Sequence, residues 1–443
     1  MVSKVHPWAH VKYHRHPWVC MKAQRSIQPA SVSLFSGAGI GDLGVEYGCK
    51  IPVEFFAEFV EERAALIREN FRGREVIQGD LETTYKTVIK EWNKKYRKKN
   101  PMLITLSPPC QGMSTNGAGK IASQVRQGKR PEYDKRNKLL LHGLEVVKKL
   151  MPEYVLIENV PGMKNTVIMW KKKQPRQLLR LIEKVLPKGY QFISFVVDFA
   201  DFGVPHHRKR LITMGKWMGE DYDTALDLQE SPPDWIRARF KKHVSIKDTI
   251  TDLCKTTDHK LHREPRINEK HLEWVKAIPR YSGKSAHMNK CQKCKKSKKS
   301  EKFRVMKCSK CKTVLPRPHV IEDNEPRAVK GYLTSYRRMQ PNQPANTLTM
   351  NSGVVSSDVT LHYSMDRVLT PKELLRLATI TNTRNKFQHT EFPWADKYDF
   401  SSAMKETDYL LQKNIIRQTI GECIPPLAMQ VLVDAMMNDW IIK

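Results

Sequence analysis

The stretch "SVSLFSGAGIGDLGVEYG", residues 31–48, changes character in its middle. An apolar run of strand type gives way at Phe35 to a segment with glycines at 37, 39, 41 and 44, so that residues 39–44 read G-x-G-x-x-G. Glycines at such a junction let the backbone turn tightly and pass close to a ligand. An acidic residue at the end of the next strand, here Glu58, is then placed to bond a ribose hydroxyl. The motif alone is weak, and its reading depends on the pattern around it.

Outward from this turn, strand-like runs recur at 52–58, 75–80, 102–107, 154–160 and 190–198, and helical runs lie between them at 61–70, 85–96, 138–150 and 176–186. Alternation of this kind predicts an α/β fold: a mostly parallel, doubly wound sheet with helices on both faces and ligands at the carboxyl ends of its strands. After residues 209–215 the alternation stops. A longer, irregular and basic region runs to about residue 361, and helical runs return at 367–380 and 424–437. The expected organisation is a basic, poorly ordered arm at 1–28, a catalytic and cofactor-binding domain at 29–215, and an inserted smaller domain at 216–361. A hinge segment at 362–409 and a return to the first domain at 410–443 complete it.

The chain has 443 residues with 40% hydrophobic, enough for a core without disulfide staples. Lys+Arg 77 against Asp+Glu 46 gives a formal charge of +31, which favours a polyanionic partner, most simply nucleic acid. No run reaches the roughly 18 consecutive apolar residues of a spanning helix, and the N-terminus lacks a signal peptide's apolar segment, so a soluble, intracellular protein without a membrane partner is expected. Nine cysteines, four of them in Cys-x-x-Cys pairs, suit thiol chemistry and metal binding in a reducing compartment.

The remaining strand ends carry the chemistry. The third delivers Asp80 and Leu81, a carboxylate and an apolar neighbour able to hold an adenine, although Asp80 is equally suited to cap a helix. The fourth ends in Ser107-Pro108-Pro109 and presents Cys110, which by itself reads as a nucleophile, a metal ligand or a buried filler. The fifth delivers Glu158 in Glu158-Asn159-Val160, and adjacent strands place the thiol and the carboxylate at one pocket. Arg208 and Arg210 precede another core strand. The loop 111–136 is basic and glycine-punctuated, as an ordinary surface loop also is.

As an ordered set, Phe35 to Gly44, Pro109-Cys110-Gln111, Glu158-Asn159-Val160 and Arg208-x-Arg210 resemble the DNA cytosine carbon-5 methyltransferases of bacterial restriction-modification systems. The resemblance covers the chain apart from residues 1–28 and the interior of the inserted domain. It implies Cys110 as nucleophile, Glu158 on the ring nitrogen and exocyclic amine, and Arg210 on the cytosine carbonyl with Arg208 nearby. It also implies S-adenosylmethionine against Phe35, Gly37 and Gly39, with Glu58 on its ribose, Asp80 and Leu81 about its adenine, and Leu139 and Asn137 in a further cofactor-facing segment. Arg367, Leu369, Thr370, Glu373 and Arg376 resemble a structural motif that organises the recognition domain, and "QTIGECIPP" resembles the family's final motif. His206 stands where the family usually has glutamine, and Glu422 where it usually has asparagine. The implied setting is cytoplasmic and nucleoid-associated, with double-stranded DNA as partner, monomeric action and a cognate restriction endonuclease as functional counterpart.

Within the inserted region, Cys291-x-x-Cys294 and Cys308-x-x-Cys311 have the spacing of a four-thiolate zinc ribbon, each pair forming one knuckle. Such closed sites are structural, so a zinc here would hold a lysine-rich module inside the part that reads DNA. Two other activities stay open at this point. Amino-group DNA methyltransferases also use Ser-Pro-Pro but follow it with an aromatic residue, whereas this chain has Cys110. An RNA cytosine carbon-5 methyltransferase would keep the same catalytic set.

Overall fold

The computed structural model describes residues 26–109, 135–170, 174–257, 259–294, 303–329, 334–401 and 414–440. Residues 1–25, Cys110 and the loop 111–134 lie outside the described residues, and so do the predictions that fall on them.

Ten strands follow in chain order: β1 (Ile27–Leu34), β2 (Val53–Glu58), β3 (Glu75–Gln78), β4 (Asn100–Leu106), β5 (Tyr154–Asn159), β6 (Val167–Trp170), β7 (Gln174–Gln177), β8 (Tyr190–Asp198), β9 (Lys209–Trp217) and β10 (Ala225–Leu228). Eight of them form one sheet in the order β10-β8-β9-β5-β4-β1-β2-β3, while β6 and β7 form a separate hairpin. Strand β9 runs antiparallel to β5 and β8, and every other neighbouring pair in the sheet is parallel. The chain leaves β1 for β2 and β3 on one side, then returns to β4 on the other. The carboxyl ends of β1 and β4 therefore diverge, which opens the crevice where ligands of such sheets bind.

Consecutive aromatic residues show why both faces are covered. Phe55 points to one face against Trp92 of α2 (Leu81–Tyr96), and Phe56 points to the other against Phe71, beyond the end of α1 (Glu61–Asn70). Both rings are fully buried, each contributing about 1.5–3 kcal/mol by removal from water. Helix α3 (Leu139–Leu150) buries Leu140, Leu144 and Val147, spaced i, i+4 and i+7, beside α2.

Two sequence expectations change. The run 176–186 is not one helix: its first residues pair in the β6–β7 hairpin, and the rest forms a 3₁₀ turn and one short helical turn, Ile182–Val185, before Pro187. Nor does the sheet end with β9, because β10 adds an edge strand parallel to β8.

Beyond β10 the chain builds smaller cores. Helix α4 (Glu269–Lys276) places Trp274 and Val275 against Tyr336, Val355, Leu361 and Val368. A hairpin of β11 (His319–Glu322) and β12 (Glu325–Ala328) follows, then α5 (Pro371–Leu377), opened by a capping box between Thr370 and Glu373. The chain returns to the sheet with α6 (Ile415–Glu422) and α7 (Pro426–Asn438). Ile415–Asn438 is apolar enough over its 24 residues to cross a membrane, but it is interrupted between the two helices and mostly buried. A Cβ on Gly44 would stand 2.2 Å from the Pro426 carbonyl oxygen, so the last glycine of the G-x-G-x-x-G run is there to let α7 pack.

Candidate active site

The crevice at the sheet's switch point is a cavity of about 1280 Å³. Its floor begins where β1 ends, with Phe35, Gly37 and Gly39 all at positive φ (57°, 56° and 72°). Gly37 faces the opening, and nothing lies within 4 Å of where its Cβ would be. Gly39 does not line the cavity; a Cβ there would come 2.8 Å from the Phe71 ring, so its part is to shape the turn.

Glu58 at the end of β2 is buried and holds this turn. One carboxylate oxygen accepts the Gly37 N–H at 2.8 Å and the other the Val60 N–H at 2.9 Å. Burial raises its pKa, opposed by those two amides and by Arg63. Arg63 of α1 lies 3.9 Å from Glu58 and 2.6 Å from Glu422, so the residue that departs from the family pattern is tied into the cavity wall. The buried Arg63 Nε finds no hydrogen-bond partner among the described residues. Asp80 lines the cavity and also caps α2, accepting the Glu82 N–H at 2.9 Å; both sequence readings apply to it. Leu81 and Leu139 complete this side, while Asn137 is buried behind it.

Across the crevice, the Asn159 amide donates to the Pro108 carbonyl at 2.9 Å and so fixes the Pro-Pro end of β4, immediately before Cys110. Glu158 accepts the Arg210 Nε–H at 2.7 Å, and both residues line the cavity. Arg208 is also at the cavity but fully buried. Its guanidinium donates to the Gly421 carbonyl at 3.2 Å and to the Leu348 carbonyl at 3.4 Å, buckling α6 to the far edge of the inserted region. Neither arginine is a solvent-facing charge, and Arg208 acts in this structure as a positioning residue.

Electrostatics divide the site. Burial pushes the Asp42 carboxyl up to about 7, with the Ser33 hydroxyl opposing and Glu46 adding to the rise. Burial, then the Arg208 charge, pushes His206 down to about 3, so its imidazole is neutral; its segment is held by the Ala345 N–H donating to the Pro205 carbonyl at 2.9 Å. Burial pushes the cavity-lining Cys423 thiol up to about 12. Sequence reasoning missed Asp42, Arg63 and Asn159 as working parts. Asp42 sits within the glycine motif and Asn159 beside Glu158, so both had a local signal; Arg63 had none, since its partners come from distant segments.

The four paired cysteines converge about 20 residues apart in sequence. Their Sγ atoms all lie within 4.8 Å of one another, with Cys291 and Cys311 at 3.6 Å. That distance is far beyond a disulfide bond of about 2.05 Å. It matches the edge of about 3.8 Å that a tetrahedron with metal–sulfur bonds of about 2.3 Å requires. The Cys294 N–H points at the Cys291 sulfur at 3.4 Å, as in a metal-binding knuckle.

A family model of C-5 cytosine-specific DNA methylases matches residues 30–438. The chain is 28% identical over 425 residues to the type II methyltransferase M1.HgaI of Avibacterium volantium, covering 92% of this chain and 98% of that protein. It is 23% identical to M.NgoFVII of Neisseria gonorrhoeae, covering 93% and 87%. Among solved structures, a prophage-encoded chain from E. coli described as a DNA modification methyltransferase aligns with a TM-score of 0.49 and 19% identity, covering 93% of this chain and 99% of that one. With the match spanning both the sheet and the returning helices, the chain belongs to the C-5 cytosine-specific DNA methylase family.

Proposed function

We propose that this chain transfers a methyl group from S-adenosylmethionine to carbon 5 of cytosine in duplex DNA, as the modification partner of a restriction-modification system. The observation that carries the reading is the Glu158–Arg210 pair, 2.7 Å apart, in the same cavity as Phe35, Gly37 and Glu58. Carbon 5 of cytosine is a poor nucleophile. A bond from the Cys110 thiolate to carbon 6 makes the ring enamine-like and carbon 5 able to accept a methyl group. Carbon 5 takes the methyl with its bond electrons coming from the ring, the donor sulfonium leaving as a thioether. Loss of the carbon-5 proton to water then expels the thiolate and restores the aromatic ring. Glu158 bonds the ring nitrogen and exocyclic amine, and Arg210, already held to it, offers its remaining N–H groups to the carbonyl oxygen. The duplex hides its cytosine, so the base is turned out into the cavity, beneath the loop that follows Cys110.

S-adenosylmethionine, when bound, supplies an electrophilic methyl on a sulfonium centre. The residues present fit it. Each Glu58 oxygen already takes one amide and keeps a second lone pair for a ribose hydroxyl. Gly37 faces open space, Asp80 and Leu81 offer a polar and an apolar contact for the base, and Glu422 stands at the cavity near a cationic ligand. One zinc ion in the four-thiolate cluster completes the reading, and about one zinc per chain by elemental analysis is the expected result. The chain acts as a monomer, with a cognate restriction endonuclease as its functional counterpart.

The test is bisulfite sequencing of DNA from a methylation-deficient host expressing the chain, with Cys110→Ser as control. Carbon-5 methylcytosine at a fixed sequence, abolished in the serine variant, is expected. Methylation confined to exocyclic amines, or undiminished by Cys110→Ser, overturns the reading.

A further inference from the structure

The geometry points to the four-thiolate centre as the keystone of the DNA-facing wall of the catalytic cavity, an inference that rests on zinc occupying those thiols. The cavity has two sides of different origin. Cofactor-type residues come from the sheet, while Thr334, Val354, Ser356, Ser357 and Asp358 come from the inserted region and stand on the side that must receive DNA.

A chain of buried contacts, hydrogen bonds joined by one ring-packing step, leads from beside the cysteine pairs to that wall. Arg317, 0% exposed, donates through Nε to the Asn289 carbonyl at 2.8 Å and through Nη1 to the Val305 carbonyl at 2.9 Å, just ahead of the first and second cysteine pairs. It thus ties the two knuckles at their bases. Asn289 in turn donates from its side chain to the carbonyls of Trp274 at 2.8 Å and Pro316 at 2.6 Å. Trp274 packs edge-on against Tyr336 at 5.6 Å, and the buried His287 meets the Ser335 hydroxyl at 3.0 Å. Ser335 and Tyr336 directly follow Thr334 of the wall. The Tyr336 N–H donates to Val355 and the Val359 N–H to Thr334, each at 3.0 Å, which seats the other wall residues.

The apolar part of the cysteine module is too small to hold this arrangement by itself. Cys291, Cys308 and Leu315 are its buried members. Closure of the two knuckles on one metal fixes the carbonyls that Arg317 grips, and through Asn289 it fixes the wall. The hydrogen bonds described above for Glu58, Arg63 and Asp80 are made with other segments. Loss of metal therefore weakens DNA binding and spares cofactor binding.

The experiment uses the full chain, with metal counted before and after chelation under reducing conditions, alongside Asn289→Ala, which keeps all four thiols. Affinities for S-adenosylmethionine by calorimetry and for unmethylated duplex plasmid fragments by anisotropy are measured at one salt concentration. The expected result is a DNA Kd about tenfold higher or more in both the depleted chain and the variant, the size set by leaving buried carbonyls unpaired, with cofactor Kd changed less than about twofold. A zinc-bearing chain whose DNA Kd survives verified depletion overturns the keystone alone. Purified protein that carries no metal and binds DNA tightly overturns the zinc reading as well. Joint loss of cofactor and DNA binding also overturns the keystone, since the module is then a general stability element. Because binding is read rather than turnover, failure of the methyl-transfer reading is seen separately.

Discussion

The sheet and the irregular segments around it are held together by opposite means. Layers of apolar side chains fill both faces of the sheet, from Val32 and Ile104 to Phe192 and Leu432. From Arg208 onward the largest fully buried side chains include five arginines: Arg208, Arg317, Arg338, Arg367 and Arg417. Each donates to backbone carbonyls of segments far away in sequence. Arg338, for example, reaches the carbonyls of Val275, Ile278 and His362 at 3.1–3.3 Å. Where strands are long, alternating burial suffices. Where the chain is irregular, a guanidinium with five donors satisfies carbonyls that no sheet or helix pairs. The contrast teaches that the second region depends on single polar residues, whereas the first spreads its stability over many.

The sharpest test of that contrast is Arg367→Met. Arg367 donates to both oxygens of the fully buried Glu373 at 2.7 and 2.8 Å, and removing it strands a buried carboxylate, with an expected loss of about 3–5 kcal/mol in denaturant unfolding. A loss no larger than that of a surface pair, below about 1 kcal/mol, would erase the distinction. The same pair has a pH signature. Burial alone would raise the Glu373 pKa, but Arg367 and His362 outweigh it and hold the carboxyl at about 2. With a depressed folded value, its stabilisation is complete above the usual carboxylate pKa of about 4.3 and fades as pH falls toward about 2. The stability gap between the parent and Glu373→Gln should shrink as pH falls below about 4.3.

Gly44→Ala should come next. Its added Cβ meets backbone rather than a yielding side chain, so a cost of about 1–3 kcal/mol is expected, together with weaker cofactor binding from displacement of α7. An unchanged melting temperature would show that the glycine turn and α7 can part freely. The smallest effect belongs to the sheet interior. Ile104→Val at a fully buried site should cost about 0.5–1.5 kcal/mol and leave both ligand affinities alone. If it costs as much as Arg367→Met, the sheet is no more tolerant than those irregular segments.

These differences also explain what the sequence made legible. Strands β1 to β5 and their ends could be read because period, punctuation by glycine and proline, and order along the chain are local signals. The paired cysteines could be read for the same reason. The run 176–186 was misleading because its apolar spacing satisfies a helical pattern, while Arg176 and Gln177 are recruited into a hairpin and the rest closes only a 3₁₀ turn and one short helical turn. Arg63, Arg208 and Arg317 carry no local mark of their roles. Their acceptors lie on segments brought near only by the finished fold, and Arg208 beside Arg210 looks alike in sequence while one grips backbone and the other a carboxylate.

The close seat of Pro426 on Gly44 has a consequence for synthesis. The glycine turn after β1 is synthesised long before α7, the helix that backs it. A nascent chain can assemble β1 to β5 and still lack the wall that Gly421, Glu422 and Met429 provide. On the function proposed above, capture of the cofactor therefore waits until α7 has been made, and a chain that has not reached it lacks one side of the site.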